Sequence, residues 1–108
     1  MSYDVHITRA GHWTESGSNP ISLEEAKAYF ASLGEFEYSS GISHKSPFGT
    51  LSIGGDFFNW IDEGESVPFS YTQGRISVSR ADDYVIDKMK EVAAGLGAKV
   101  QGDEGEVY

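Results

Sequence analysis

Residues 81–97, "ADDYVIDKMKEVAAGLG", decide how the rest of the chain must be arranged. The apolar residues that recur there at three- and four-residue intervals are Val85, Met89, Val92 and Leu96, joined by Ile86 and Ala93. This spacing predicts an amphipathic helix with one apolar stripe. Asp82 and Asp83 fall in its first turn, where the helix dipole favours negative charge, and Gly97 is suited to end it. Such a stripe must be buried against another layer of structure.

An earlier segment, residues 22–34, "SLEEAKAYFASLG", predicts a second helix of the same kind. Ser22 and Glu25 have the spacing of a capping box, and Gly34 is suited to end the helix. Its apolar stripe consists of Leu23, Ala26, Phe30 and Leu33. Two one-sided helices need a common surface on which to pack.

Alternating segments around the helices predict that surface. Residues 3–9, "YDVHITR", read as a strand before the first helix, and residues 98–101, "AKVQ", as a strand after the second. Between the helices, "EFEYS" reads as a strand and "FSYTQGRISVS" as a hairpin, while "DEGESVP" (62–68) reads as an acidic loop. The segment "TLSIGGDFFNWI" is either a hairpin or one bent strand with a bulge at its glycine pair.

These elements predict a single α+β domain over residues 1–108. We expect one antiparallel or mixed β-sheet of four or five strands, with both helices on one face. The C-terminal segment "KVQGDEGEVY" should be ordered, with Gly102 and Gly105 bracketing a turn and with Val107 and Tyr108 returning to the sheet or to Tyr3.

The charge balance limits the classes of partner. The chain carries 17 acidic and 8 basic residues, a net charge of −9. Such a surface repels phosphates and anionic lipids, so direct nucleic-acid or membrane binding is not expected, and it attracts basic proteins. Acidity that only maintains solubility is the alternative. With no cysteine, no long apolar run and no signal-peptide pattern, a cytoplasmic location is expected.

Motifs for catalysis and cofactor binding are absent from the sequence. It has no G-x-S-x-G and no glycine-rich phosphate loop, and the adjacent Ser43 and His44 read as a polar turn. Asp4 and His6 share a strand face and His12 follows, so a metal or small-ligand site there is an alternative. The tail segment with Asp103, Glu104 and Glu106 is too short for a calcium loop and lacks its pattern of oxygen ligands. The prediction is therefore no enzyme, no cofactor and no metal.

The aromatic residues favour a binding surface. Phe57, Phe58, Trp60 and Ile61 cannot all face one side of a strand, because alternate side chains point in opposite directions. Some should lie on the face that the helices leave open, where aromatic rings rimmed by carboxylates are typical of a protein-binding patch. A second small core beneath the loops is the alternative.

Both ends of the chain resemble a family of small, acidic, uncharacterised bacterial proteins. The resemblance rests on Y-D-x-H-I-T-R at residues 3–9, on Trp13, on P-I-S at residues 20–22 and on L-G-A-x-V-Q-G-D-x-G-E-x-Y at residues 96–108. It does not cover residues 35–70. The family is similar to immunity proteins of bacterial toxin systems, and the resemblance implies a bacterial, cytosolic protein without an assigned active site.

The sequence thus predicts an acidic, immunity-type protein that neutralises a toxin or other basic partner by covering its surface. The expected partner-binding residues are Glu35, Glu37, Trp60, Asp62, Glu63, Glu65, Asp103, Glu104 and Glu106. The protein should be a monomer or a discrete homodimer. The alternatives are a subunit of a permanent complex and a small enzyme or ligand-binding domain that uses Asp4, His6, Thr8, Arg9 and His12.

Overall fold

Six β-strands, two α-helices and one 3₁₀ helix follow one another in the computed structural model, which describes residues 3–108 apart from the side chains of residues 42–45 and 51–53. In chain order the elements are β1 (Asp4–Thr8), the 3₁₀ helix (Trp13–Ser18), α1 (Leu23–Leu33), β2 (Phe36–Ser46), β3 (Gly49–Asp62), β4 (Glu65–Thr72), β5 (Arg75–Ser79), α2 (Asp83–Leu96) and β6 (Lys99–Gly102). Ser43 and His44, predicted as a polar turn, lie within β2, where they pair with Ser52 and Leu51, so that prediction is wrong. The side chains of Ser43 and His44 lie outside the described residues.

The strands form one antiparallel sheet in the order β2-β3-β4-β5-β1-β6. The predicted α+β fold is confirmed. The predicted number of strands, four or five, is too low, since the sheet has six. The segment predicted as an acidic loop is instead a two-residue turn followed by β4. Glu63 and Gly64 both have positive φ (49° and 83°), as a type I′ hairpin turn requires. The predicted hairpin at Gln73-Gly74 is confirmed by the pairing of β4 with β5.

The glycine pair at Gly54-Gly55 is a bulge. β3 continues through it, so the hairpin alternative is wrong and the bent-strand alternative is confirmed. Ser39 of β2 pairs with Phe57, and Gly41 pairs with Gly54, so β3 contains one extra residue at this point. Gly55 has φ 153°, which favours glycine.

Both helices begin and end as predicted. Ser22 and Glu25 form the capping box of α1, the Asp82 side chain accepts from Val85 N at the start of α2, and Gly34 and Gly97 are left-handed at the two ends. The stripes meet on one face of the sheet, in a core that contains Ala26, Phe30, Ile86, Met89, Val92, Ala93 and Leu96 from the helices and Val5, Ile7, Phe58, Trp60, Phe69, Ile76, Val78 and Val100 from the strands.

The other face of β1 is covered by the 3₁₀ helix. His6 is 3% exposed and Thr8 is fully buried, and Thr8 Oγ1 lies 2.8 Å from Ser16 Oγ. The C-terminal segment is ordered, as expected: Val107 forms a bridge with Gln101, and Tyr108 N donates to Val100 O at 3.0 Å. In the described part of the chain, no helix combines the length and apolarity needed to cross a membrane.

Candidate functional site

Acidic residues collect at one end of the sheet, which we call the acidic end. Because every strand is antiparallel to its neighbours, the starts of β1, β2 and β4 and the ends of β3, β5 and β6 lie together there. The acidic residues at or beside these strand ends are Asp4, Glu35, Glu37, Asp62, Glu63, Glu65, Asp82, Asp83, Asp103, Glu104 and Glu106. Arg9, Arg75 and Lys99 lie at the opposite end. Arg80 and Lys88 also lie at the acidic end, and Glu24 and Glu25 lie at the opposite end, so the acidic end is rich in carboxylates without being free of cations.

The carboxylates predicted to bind a partner all lie at the acidic end, but in two groups. Glu35, Glu37, Asp62, Glu63 and Glu65 lie on the side formed by β2, β3 and β4, and Asp103, Glu104 and Glu106 follow β6. β5 and β1 run between the two groups. The predicted residues therefore share one end of the molecule without forming one compact cluster.

Trp60 does not lie on the open face of the sheet. It is 5% exposed and belongs to the core on the helix side, where its ring packs near Phe36 and Phe69. Strand alternation places Phe58 on the same side, and it leaves Ile61 40% exposed. The expectation that some of these residues lie on the open face does not hold for Trp60, whose ring instead forms the floor of a pocket.

That pocket, the Lys88 pocket, lies between α2, the start of β2 and the end of β3. It has a volume of about 310 Å³ and is lined by Glu35, Trp60, Asp62, Tyr84, Asp87, Lys88 and Glu91. Three of these residues, Glu35, Trp60 and Asp62, were predicted to bind a partner. The residues from α2 were not singled out by the sequence.

A single lysine serves two of the pocket's carboxylates. Lys88 is 9% exposed, and its Nζ lies 2.9 Å from Glu35 Oε1 and 3.1 Å from Glu91 Oε2. Burial opposes the charge on Lys88, but the two carboxylates outweigh it and raise the pKa of the amine. The Lys88 ammonium in turn lowers the pKa of Glu35.

The aromatic wall of the pocket has one open side. Tyr84 stacks on Trp60 with ring centroids 5.5 Å apart, yet Tyr84 is 57% exposed. The Tyr84 hydroxyl donates to Asp62 Oδ2 at 3.0 Å, and this hydrogen bond raises the pKa of the tyrosine. The indole N–H of Trp60 is buried and has no hydrogen-bond partner of acceptable geometry, although it lies close enough to Glu35 to favour its ionised form.

A second polar group, the His6 cluster, consists of His6, Trp13, Ser77 and Asp103. His6 Nδ1 lies 2.6 Å from Ser77 Oγ, and His6 Nε2 lies 2.7 Å from Asp103 Oδ1. The indole of Trp13 stacks on the imidazole at 4.1 Å, and its N–H donates to the backbone oxygen of Asp103. Asp103 Oδ2 accepts from the backbone N–H of Asp4 at 2.8 Å. The cluster ties the C-terminal segment to β1.

Hydrogen bonds occupy several of the atoms that a metal would need. Both nitrogens of His6 and both carboxylate oxygens of Asp103 have partners, and His12 Nδ1 is bonded to Thr14. Among the described residues, no group of three or more His, Asp or Glu side chains is arranged to hold a metal ion. Burial opposes ionisation of Asp103, but the Asp4 N–H and His6 outweigh it and lower the pKa of the carboxyl group.

Most of the other residues predicted for a ligand-binding site on β1 also have partners within the protein. Arg9 forms two hydrogen bonds with the Glu25 carboxylate and donates to Leu96 O at 2.9 Å. This ion pair lowers the pKa of Glu25 to about 2. Asp4 differs, because one of its carboxylate oxygens is buried without a partner. The structure brings Asp4, His6 and His12 to one region, around Trp13 and Asp103.

Sequence reasoning missed Tyr84, Asp87, Lys88 and Glu91, although a signal exists. Tyr84, Lys88 and Glu91 are separated by four and three residues, so they share one side of α2 next to its apolar stripe. An aromatic residue and a lysine beside an apolar stripe can pack against a neighbouring strand. The identity of that strand follows only from the tertiary structure.

Comparisons of the chain with protein-family models, curated proteins and solved structures find no match. The resemblance to small acidic bacterial proteins and to immunity proteins therefore stays a prediction.

Proposed function

We propose that the protein binds a basic protein partner through its acidic end and, in the manner of an immunity protein, neutralises that partner by covering its surface. The observation that carries the proposal is the excess of carboxylates at one end of the sheet, where eleven acidic residues outnumber the two basic residues Arg80 and Lys88. A potential of one sign over one end of a protein accelerates association with a surface of opposite sign and excludes partners of like sign.

The exposed side chains at the acidic end support the same conclusion. Glu37, Glu63, Glu65 and Glu104 are all exposed, so they are available to a partner without any rearrangement. Toxins that act on nucleic acid carry basic surfaces, because they must bind phosphates. An acidic surface complementary to such a cleft would compete directly with the nucleic acid.

The test is partner capture from the native cell with tagged protein, washed at low and then at high salt. The variant Glu63→Lys/Glu65→Lys reverses two exposed charges at the acidic end, and Glu24→Lys is a control at the opposite end, where α1 begins. We expect a basic protein that is released by high salt, retained by Glu24→Lys and lost by the double variant. Equal capture by all three proteins would contradict the proposal.

The His6 cluster provides the observation for a second candidate, a small hydrolase. Ser77, His6 and Asp103 have the connectivity of a nucleophile, a base and an orienting carboxylate. Ser77 is half-buried, whereas the imidazole is 3% exposed and stacked against Trp13. Covalent labelling of Ser77 by a fluorophosphonate probe, lost in Ser77→Ala, would favour this candidate over the binding protein.

A further inference from the structure

We propose that the outer edge of β2 is the surface through which two copies of this chain associate. In the dimer, β2 of one copy pairs with β2 of the other as antiparallel strands about a two-fold axis, so that the two sheets join into one. The second copy is a partner additional to the basic protein of the proposed function. Three features support the dimer, namely the free edge of β2, the two-stranded end of the β2–β3 hairpin and the charges along β2.

The two edges of the sheet differ in how they are covered. β6, at one edge, is four residues long, and the C-terminal segment closes it through the bridge between Val107 and Gln101 and the hydrogen bond from Tyr108 N to Val100 O. β2, at the other edge, has 11 residues, and in the part of the chain that the structure describes no strand pairs with its outer side. Such an edge offers unpaired backbone N–H and C=O groups to a further strand.

Most of the devices that protect edge strands are missing from β2. Proteins prevent edge-to-edge pairing with short strands, prolines, bulges and charged residues. β2 contains no proline, and the extra residue of the bulge at Gly54-Gly55 belongs to β3. The outer edge of β2 therefore runs without an inserted residue from Phe36 to Ser46.

The far half of the β2–β3 hairpin is a two-stranded ribbon. β4 pairs with β3 only from Asp56 onwards, so among the described strands residues 49–55 pair with β2 alone. Phe48 at the turn is 99% exposed, and all of residues 46–50 are exposed. A two-stranded hairpin is marginally stable in water, and additional strands stabilise it. Pairing with a second copy makes this ribbon part of a four-stranded sheet.

The charge of this region favours a second copy as its partner. The chain carries 17 acidic residues, but residues 38–55 contain none. Two molecules of net charge −9 repel each other, so they associate most readily where carboxylates do not oppose one another. A basic protein is attracted instead to the carboxylates of the acidic end.

The length of β2 and its charges select the same register. Gly41 is the central residue of the strand, so a two-fold pairing centred on Gly41 joins all 11 residues of one copy to those of the other. This register places Glu37 of each copy opposite Lys45 of the other. Opposite charges directly across an antiparallel pair are stabilising, and like charges are destabilising. Strands of this length form about ten backbone hydrogen bonds, a number typical of a specific protein interface.

The test is sedimentation velocity at constant ionic strength over a wide range of protein concentration. We expect a species of twice the chain mass that dissociates on dilution. Glu37→Lys and Lys45→Glu each place like charges opposite one another at two positions, so each should weaken the dimer by about tenfold. An equimolar mixture of the two variants should dimerise like the wild type, because every lysine at these positions then stands opposite a glutamate. Such recovery also shows that both variants are folded.

The matched control is Glu104→Lys, which makes the same charge reversal at an exposed residue after β6, at the other edge of the sheet. It should leave the dimer intact. The inference is overturned if the wild type is a monomer at every concentration, if Glu37→Lys and Lys45→Glu dimerise like the wild type, if Glu104→Lys weakens the dimer as much as they do, or if mixing them does not restore it.

These outcomes are distinguishable from failure of the proposed function. Glu37 is the one carboxylate on β2, so the dimer leaves the other acidic residues of the acidic end free. Glu63→Lys/Glu65→Lys should lose the basic partner and still dimerise, since neither residue lies on β2. Capture of a basic partner by a protein that is monomeric throughout would retain the acidic end as an interface and reject the β2 edge.

Discussion

The His6 cluster and the Lys88 pocket are both polar, but they differ in how their groups are partnered. In the His6 cluster, both imidazole nitrogens and both oxygens of Asp103 form hydrogen bonds within the protein. In the Lys88 pocket, one buried ammonium pairs with two exposed carboxylates, Glu35 and Glu91. Removing a buried partner leaves its neighbours without a hydrogen bond, whereas exposed carboxylates can be solvated when their cation is removed. We therefore expect the first region to contribute more to stability than the second.

The largest expected effect is the destabilisation caused by His6→Ala. The substitution removes a buried ring that stacks on Trp13 and leaves Ser77 and Asp103 without their partner. We expect the free energy of unfolding to fall by about 2–4 kcal/mol. Urea denaturation followed by far-UV circular dichroism measures it. A loss below about 1 kcal/mol would contradict the stabilising role that we assign to the His6 cluster.

Asp103→Asn should lower stability less and should also change its pH dependence. The expected loss at neutral pH is about 1–2 kcal/mol, because the hydrogen bonds to a charged acceptor are weakened. Folding lowers the pKa of Asp103 below its ordinary value of 3.8, so its contribution is complete above that pH and is lost as the pH falls through the folded value.

Denaturation curves from pH 7 to pH 3 test this pH dependence. The wild-type protein should lose stability in acid, and Asp103→Asn should lose less over the same interval. Identical acid losses in both proteins would show that Asp103 does not contribute.

Deletion of Val107 and Tyr108 probes the ordered C-terminal segment. It removes the bridge between Val107 and Gln101 and the hydrogen bond from Tyr108 N to Val100 O. We expect a loss of about 1 kcal/mol in the free energy of unfolding. Glu104→Gln is the control, since it changes an exposed side chain of the same segment and should have no effect. Equal stability of the deletion variant and the wild type would show that these contacts are not stabilising.

The smallest change in stability is expected from Lys88→Met, although it alters a buried ion pair. Glu35 and Glu91 are exposed, so water can solvate them once the ammonium is gone, and the cost of burying the charge disappears. The free energy of unfolding should change by less than about 1 kcal/mol. Thermal and urea unfolding measure it. A loss as large as that of His6→Ala would mean that the pocket is structural as well, and the two regions would no longer differ.

The fold was predictable from the sequence where local rules decide it. The periodic stripes and caps predict α1 and α2, and alternation predicts β1 and the hairpin at Gln73-Gly74. The turn at Glu63-Gly64 was missed because charged residues around a glycine read as a loop, whereas positive φ at two successive residues makes a tight hairpin.

The candidate site was predictable only in part. The acidic residues Glu35 and Asp62 were identified from charge density, and the topology places them at the same end as the tail carboxylates. The burial of Trp60 and its contact with Tyr84 depend on which face of β3 meets α2, and Lys88 enters the site from a helix distant in sequence. Local sequence patterns carry no information on such pairings.

The most direct measurement of the central claim is the salt dependence of the association rate between the protein and its captured partner. The wild type should associate fast at low ionic strength and more slowly as salt is added. Glu63→Lys/Glu65→Lys should associate slowly and with little dependence on salt, while Glu24→Lys should behave like the wild type. Equal rates and equal salt slopes for the wild type and the double variant would contradict recognition through the acidic end.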